Sequence, residues 1–409
     1  MKTADQLLVK QINKMLVLNT IYKKKPISRA ETAKRTGLNK STVSALVEEL
    51  LSEGLILEIG TGESQGGRKP INLSINKEIG SVIGIDLGVN YILSILTNFA
   101  GQILWKKRIS IKNIIDFPQQ KIHDLLALIQ ETITHAPSTR RGIIGMGIGV
   151  PGMVDYAHGY VLSAPNLLWE NVKLKDIVEE EFHIPTLIDN EANAGAIGEK
   201  WFGLGKKASE LVYISAGTGI GAGIVINNEL YRGSRGLAGE IGHMTVDVHG
   251  TTCTCGNVGC WEEYASEKAL IRYFKDNAAR YPESILLSKV SLEYIDDLNI
   301  FQIVDAAMKG DSLAIAGFKT IGYYLGVGVA NLINAFNPEC VVVGNVLPLA
   351  GDILMNELRK EVERRCFSAK YSNVKIMSSE LYMNACALGA VALVISRIYA
   401  LQGSYLIST

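Results

Sequence analysis

Three cysteines fall within eight residues, Cys253-Thr-Cys255-Gly-Asn-Val-Gly-Cys260, shortly after a glycine-rich segment that ends in histidine, Gly236-Leu-Ala-Gly-Glu-Ile-Gly-His243. Thiolate and imidazole are the soft, deprotonatable donors that tetrahedral zinc prefers. Convergence of His243, Cys253, Cys255 and Cys260 on one ion would pin the local backbone whatever the rest of the chain does. Four protein ligands leave no open coordination position, so the expected ion is a structural Zn2+. The alternative is a set of unligated thiols. Cys340, Cys366 and Cys386 are scattered through apolar segments and read as core packing in a reducing compartment.

At 409 residues the chain is long enough for two or three domains, each with its own core. Hydrophobic residues at 47% and charged residues at 20% exclude a disordered or fibrous protein. No stretch approaches the run of about 18 apolar residues that spans a bilayer, and the longest candidate, 385–395, reads as a core helix. Lys2, Asp5 and Lys10 interrupt the N-terminal apolar residues where a signal peptide would be continuous. A cytoplasmic location and no membrane partner are therefore expected. Net charge is zero overall, yet residues 1–80 hold 13 Lys and Arg against 8 Asp and Glu. The basic end is the end expected to touch phosphate.

Helical spacing over residues 6–22 is closed by three lysines and Pro26. A second helix is expected from Ser28, with Glu31 completing a capping box, to Gly37; a third runs from Asn39 to Glu53 and stops at Gly54. Apolar runs at 55–59 and 71–75 flank a basic, glycine-rich segment and read as a β-hairpin. From Ile79 onward, strands at 82–87, 143–150, 185–188, 211–215, 222–226 and 340–343 alternate with helical stretches at 119–134, 301–309 and 315–336. Such alternation predicts an α/β architecture, and turn signals near Asp86 and Gly217 predict two related lobes around a cleft. The segment near 76–79 is the expected linker.

Ala33, Gly37 and Val43 meet the needs of a helix-turn-helix: a small residue at the crossing, tolerance of positive φ in the turn, and a branched residue facing inward. Ser28, Asn39, Lys40, Ser41, Thr42 and Ser44 are the candidate DNA contacts, with Arg68 and Lys69 at the tip of a wing. A generic helical bundle with a solvated loop is the bland alternative.

The zinc segment, Gly147-Ile-Gly-Val-Pro-Gly-Met-Val-Asp155, Asp189-Asn-Glu-Ala-Asn193 and Gly217-Thr-Gly-Ile-Gly-Ala-Gly223 together resemble the ROK family of repressors, open reading frames and kinases. The resemblance covers nearly all of residues 1–400. It implies a winged helix-turn-helix at 1–78 followed by a two-lobed, actin- and hexokinase-like (ribonuclease H-like) module. Lobe 1 would span 79–195, completed by a C-terminal helix at 385–409, and lobe 2 would span 196–384. The family's sugar contacts fall on Asn190, Glu191, Glu240, His243 and Glu262, and more loosely on Asn166. Carboxylates and amides suit a ring of hydroxyls. Structural alternatives stand beside three of them: Asn190 as a helix cap, Asn166 as a turn former, and Glu240 as part of a turn in which only the backbone matters.

The same resemblance predicts a protein that is no longer an enzyme, with no catalytic residue. Glu191 stands where the family's kinases carry the catalytic aspartate, and Asp86-Leu-Gly88-Val89-Asn90 replaces their Asp-x-Gly-Gly-Thr phosphate turn. Gly344-Asn345 replaces a glycine pair. Among family members the likeness is greatest to xylose-operon repressors of Gram-positive bacteria. That implies operator DNA as partner, D-xylose as effector, and a homodimer or dimer of dimers whose recognition helices lose register when sugar closes the cleft. An active ATP-dependent sugar kinase, or a regulator answering to another sugar or a protein partner, is the rival reading.

Overall fold

The computed structural model describes residues 2–24, 26–61, 70–111, 118–289, 295–296, 298–367 and 373–401. Helices α1 (Lys2–Lys23), α2 (Arg29–Thr36) and α3 (Lys40–Ser52) start and stop close to the expected caps. Ser28 Oγ accepts from the Glu31 amide at 3.2 Å, and Gly37 ends α2 at φ 72°. The Glu31 carboxylate departs from the expected capping box and pairs with Arg35 Nε at 2.7 Å. Ala33, Val43, Val47 and Leu50 are buried with Val17, Leu18 and Ile21 of α1. Strands β1 (Ile27–Ser28), β2 (Ile56–Thr61) and β3 (Ile71–Ile75) form an antiparallel sheet in the order β1-β3-β2. Arg68 and Lys69 lie outside the described residues.

Strands β4 (Ser81–Leu87), β5 (Tyr91–Asn98) and β6 (Ile103–Ser110) form a meander, followed by α4 (Pro118–Thr134) and β7 (Ile143–Val150). A small antiparallel sheet of β8 (Met153–Asp155), β9 (Tyr160–Ala164) and β10 (Trp169–Val172) precedes α5 (Leu174–Phe182), β11 (Thr186–Asn190) and α6 (Glu191–Trp201). Then come β12 (Leu211–Ala216), β13 (Ile220–Ile226) and β14 (Glu229–Leu230), and helices α7 (Glu262–Ala265), α8 (Glu267–Asn277), α9 (Ile285–Lys289), α10 (Ile300–Met308) and α11 (Ser312–Phe336). The chain ends through β15 (Cys340–Gly344), α12 (Asp352–Arg365), β16 (Lys375–Ser378) and α13 (Ala385–Leu401).

The two larger sheets have the same plan. One runs β11-β7-β4-β5-β6 and the other β16-β15-β12-β13-β14; each is built on an antiparallel meander with two parallel strands added beside its first strand. Numbered within a lobe, both follow the order 3-2-1-4-5. This is the expected ribonuclease H-like pair, repeated in topology without a repeat in sequence.

Helices α6 and α13 pack together between the sheets, α13 on β4 and β7 and α6 on β12 and β13. Small residues make this possible: a Cβ on Gly147 would lie 2.1 Å from Ala390 O, and one on Gly389 1.6 Å from Ala194 O. Glycine permits backbone contact there that any side chain would prevent. The apolar face of α13, with Val391, Val394 and Ile395, is continuous with the core formed by α1–α3. Ile79, in the segment read as a linker, is buried in that same core, and Arg141 Nη2 donates to Glu53 O at 3.0 Å. The N-terminal part is thus docked rather than tethered.

One expectation about apolar segments is corrected. Among the described residues, the stretch long and apolar enough to cross a membrane, by length and composition, is α11, with a mean hydropathy of 1.4. Its window is 61% buried, against α8, α10 and α12 among others, because it is the central core helix of the second lobe.

Candidate functional site

Close approach of the Gly236–His243 stretch to β13 creates the first part of the site: a Cβ on Gly239 would meet Ala222 O at 2.3 Å. The chain then makes a short helical turn, Ile241–His243, that delivers the imidazole. The ligand atoms of His243, Cys253, Cys255 and Cys260 all lie within 4.8 Å of one another. Cys253 Sγ is 3.7 Å from His243 Nδ1, and Cys255 Sγ is 3.6 Å from Cys260 Sγ. A tetrahedral ion with metal–sulfur bonds of about 2.3 Å needs ligand separations near 3.8 Å. The four side chains fit such an ion. Asn257 secures the loop, donating from Nδ2 to His243 O at 3.3 Å and to Thr245 Oγ1 at 3.1 Å. Cys340 and Cys366 are buried elsewhere, in the apolar cores, whereas Cys386 departs from the core-packing expectation: it is buried against the cleft that Glu191 faces, hydrogen-bonded to Asp86.

Glu262, at the start of α7, belongs with this cluster: its Oε1 is 3.6 Å from His243 Nδ1 and accepts from Cys253 Sγ at 3.3 Å. Glu240 is exposed beside it. Asn190 caps α6, accepting from the Ala192 and Asn193 amides at 2.8 and 3.2 Å, while its Nδ2 donates to Gly152 O at 2.9 Å. The capping alternative is therefore realised, and one amide hydrogen is left for a ligand. Asn166 sits in the turn Pro165–Leu167 and accepts from Lys268 Nζ at 3.1 Å, across from the second lobe.

Glu191, the first residue of α6, faces a narrow cleft lined also by Asp86, Tyr91, Tyr213, Ser215 and Asn345. Burial, then the proximity of Asp86 and Glu240, pushes the Glu191 carboxyl up to about 8. Asp86 is pushed up to about 6 by burial, although the Tyr91 hydroxyl donates to its Oδ2 at 2.8 Å. Near neutral pH, Glu191 is mainly a neutral acid that can both donate and accept.

On α3, Lys40 and Ser41 are exposed and Thr42 and Ser44 half-buried. Asn39 Oδ1 accepts from the Thr42 amide and from Ser41 Oγ, both at 2.7 Å, so Asn39 holds the helix start that would meet a phosphate.

Residues 82–397 match the ROK family, and residues 11–56 match winged helix-turn-helix DNA-binding domains. The chain belongs to the ROK family. It is 46% identical to the xylose repressor of Caldicellulosiruptor bescii over 389 residues, spanning 95% of this chain and 96% of that one. A ROK transcriptional regulator described as a homolog of the E. coli MLC protein superposes with a TM-score of 0.79 at 29% identity, covering 96% of this chain and 97% of the other. A ROK glucokinase from Streptomyces griseus, solved with glucose and AMPPNP, superposes with a TM-score of 0.71 at 32% identity over 77% of this chain and 99% of the enzyme.

Side chains of this ROK chain pack on two of its glycine turns. The Tyr91 ring covers Gly88, where a Cβ would come within 2.3 Å of it, and Lys121 Nζ donates to the carbonyls of Gly88 and Val89 at 2.7 and 2.5 Å. Over the second turn, a Cβ on Gly217 would lie 2.7 Å from Asn345 Nδ2. Asn345 keeps a glycine-like φ of 70°, and its Nδ2 donates to Ser215 Oγ at 3.1 Å.

Tyr91 and Ser215 were not legible as cleft residues, because each reaches the cleft from an ordinary strand position, and Lys121 reaches the Gly88 turn from an ordinary helix position. Asp86 and Asn345 had a signal, lying in turns already marked by glycine. Arg232 and Asp189 also had one: Asp189 opens the Asp-Asn-Glu motif and Arg232 stands four residues before Gly236.

Proposed function

We propose that this chain is a sugar-responsive DNA-binding transcriptional repressor of xylose genes, released from operator DNA when D-xylose binds between the two lobes. The observation that carries this reading is a cleft that keeps the carboxyl groups of Glu191 and Asp86 for hydroxyls while Tyr91 and Asn345 lie over the two glycine turns read as phosphate sites. The likeness to a xylose repressor over nearly the full length supports the choice of sugar. Glu191 supports it as well: its side chain reaches one methylene further than an aspartate, taking up room that a hexose hydroxymethyl would need.

In this reading the chain divides into a DNA-binding part at 1–78, a first lobe at 79–195 completed by 385–409, and a second lobe at 196–384. Asn190, Glu191, Glu240, His243 and Glu262 bind sugar hydroxyls, with Asn166 at the rim. Ser28, Asn39, Lys40, Ser41, Thr42 and Ser44 form the operator surface with Arg68 and Lys69 of the wing. His243, Cys253, Cys255 and Cys260 hold a structural zinc, which orders the loop bearing two of the sugar contacts. No phosphate is transferred. The protein acts in the cytoplasm as a homodimer or dimer of dimers, so that two recognition helices meet half-sites about one helical turn apart.

Helix α13 is suited to carry the signal, since it touches both α6 behind Glu191 and α1 of the DNA-binding part. Sugar closes the lobes, α13 shifts against α1, and the spacing of the recognition helices changes. Sugar must then bind the DNA-incompetent state more tightly, and operator DNA must weaken sugar binding by the same factor. A mobility-shift titration of the operator against D-xylose, glucose and N-acetylglucosamine tests this. Release by D-xylose at the lowest concentration is expected. Release by another sugar alone overturns the effector, and ATP consumption with any of them overturns the repressor-only reading.

A further inference from the structure

Arg232 follows β14 of the second lobe and leads into the glycine-rich stretch that carries Glu240 and His243. Asp189, in β11 of the first lobe, immediately precedes Asn190 and Glu191. The two meet as a forked pair: Arg232 Nη1 donates to Asp189 Oδ1 at 2.9 Å, and Nη2 donates to Oδ2 at 2.6 Å. Behind the pair, the guanidinium carbon lies 3.8 Å from the centre of the Tyr156 ring, which belongs to the segment after β8. Asp189 Oδ1 also accepts from the Asn190 amide at 2.8 Å and from Asn193 Nδ2 at 3.3 Å.

Asp189 is almost wholly buried, with 1% of its surface exposed. A carboxylate in that position is tolerated only when its lone pairs are met, and here two guanidinium hydrogens, one backbone amide and one side-chain amide meet them. The same group therefore fixes the start of α6 from within its own strand and grips the arm that leads to His243 from the opposite lobe. A planar fork stacked on a ring defines both distance and angle, which a lysine at this place would not do.

We propose that the Arg232–Asp189 pair, backed by Tyr156, is a positioning element that holds Asn190–Glu191 and Glu240–His243 in one register across the cleft, so that sugar meets an aligned set of groups. The consequence for sugar rests on the reading of those four residues as sugar contacts; the alignment itself does not. Neither Arg232 nor Asp189 needs to touch the ligand.

The test uses the full-length chain with Arg232→Met and Arg232→Lys. Amide hydrogen exchange without sugar is expected to show residues 186–193 and 232–243 losing protection together in R232M, with β4 and α11 unchanged and with partial recovery in R232K. Loss in only one segment, in neither, or across the whole chain in both variants overturns the proposal. Calorimetric titration with D-xylose is then expected to show affinity lower by about tenfold or more in R232M. R232K should lie between R232M and the unaltered chain, and D189N/R232M should be no weaker than R232M. Unaltered affinity in R232M overturns the link to sugar. Absence of D-xylose binding by the unaltered chain would overturn the effector instead, and the exchange result would still decide the pair.

Discussion

Asn345 sits over Gly217, its Nδ2 2.7 Å from the point where a Cβ on that glycine would stand. A glycine in such a turn ordinarily leaves backbone amides open to phosphate, and in the reading proposed above an amide side chain takes the place of the ligand. With Tyr91 over Gly88 in the opposite lobe, that reading has a triphosphate obstructed on both sides. Calorimetry with AMPPNP and magnesium is expected to give no binding heat for the unaltered chain, and a measurable one for Tyr91→Ala/Asn345→Gly. Tight nucleotide binding by the unaltered chain, with sugar phosphate accumulating, would refute the obstruction.

Glu191 makes stability depend on pH with a definite sign. Its carboxyl titrates at about 8 in the fold against an ordinary value of 4.5, so folding favours the protonated form. That contribution is complete below about pH 4.5 and is lost as pH rises toward 8. Glu191→Gln stays neutral throughout. The melting temperature of the unaltered chain should therefore fall relative to E191Q between about pH 5 and pH 8.5, by the equivalent of about 4 kcal/mol. A difference that is flat over this range would show that Glu191 is ionised at neutral pH.

Cys255 is the exposed member of the metal cluster, which makes it the accessible test of that site. One zinc per chain is expected by elemental analysis, and Cys255→Ser should lose most of it. Melting should drop by roughly 5–10 °C in that variant and in the chelated protein, since binding energy at a closed site is folding energy. Retention of one zinc in C255S would remove Cys255 from the ligand set.

The proposed operator surface should separate into two kinds of contact. Lys40→Ala, or the pair Arg68→Ala/Lys69→Ala, should weaken binding to all sequences alike and flatten the salt dependence by about one or two phosphate contacts respectively. Ser41→Ala should instead cost about 1 kcal/mol on the operator and little on random DNA. Fluorescence anisotropy at several salt concentrations checks both. An unchanged salt slope would place the lysines and arginine away from the backbone.

Gly147 is expected to tolerate no side chain, because the Cβ of Gly147→Ala would press on Ala390 O at 2.1 Å. Denaturant unfolding should show a loss of about 1–3 kcal/mol. A neutral effect would mean that α13 can lift from β7, and would weaken its part in carrying the signal.

Much of this protein is written in local pattern. Caps at Ser28 and Asn39, stop signals at Gly37 and Gly54, and the cysteine spacing each act over a few residues, and each element formed close to where it was expected. Buried strands such as β4, β7, β12 and β15 are continuous apolar runs, readable because both their faces are covered. By contrast β6 is largely exposed, with Lys106, Lys107 and Arg108 in sequence, and α6 packs through Ala and Gly with little apolar periodicity. Neither carries a pattern that a short window can detect.

What the chain determined by itself was the identity of its elements and the chemistry of its motifs, since capping, turn geometry and ligand softness depend on near neighbours. Tertiary structure alone decided which motifs share a site. It set Glu262 against Cys253, joined Asp189 to Arg232 forty-three residues away, and laid Asn345 over Gly217. Such contacts depend on how two sheets and the helices between them close-pack, and packing is a property of the whole chain that no local spacing records.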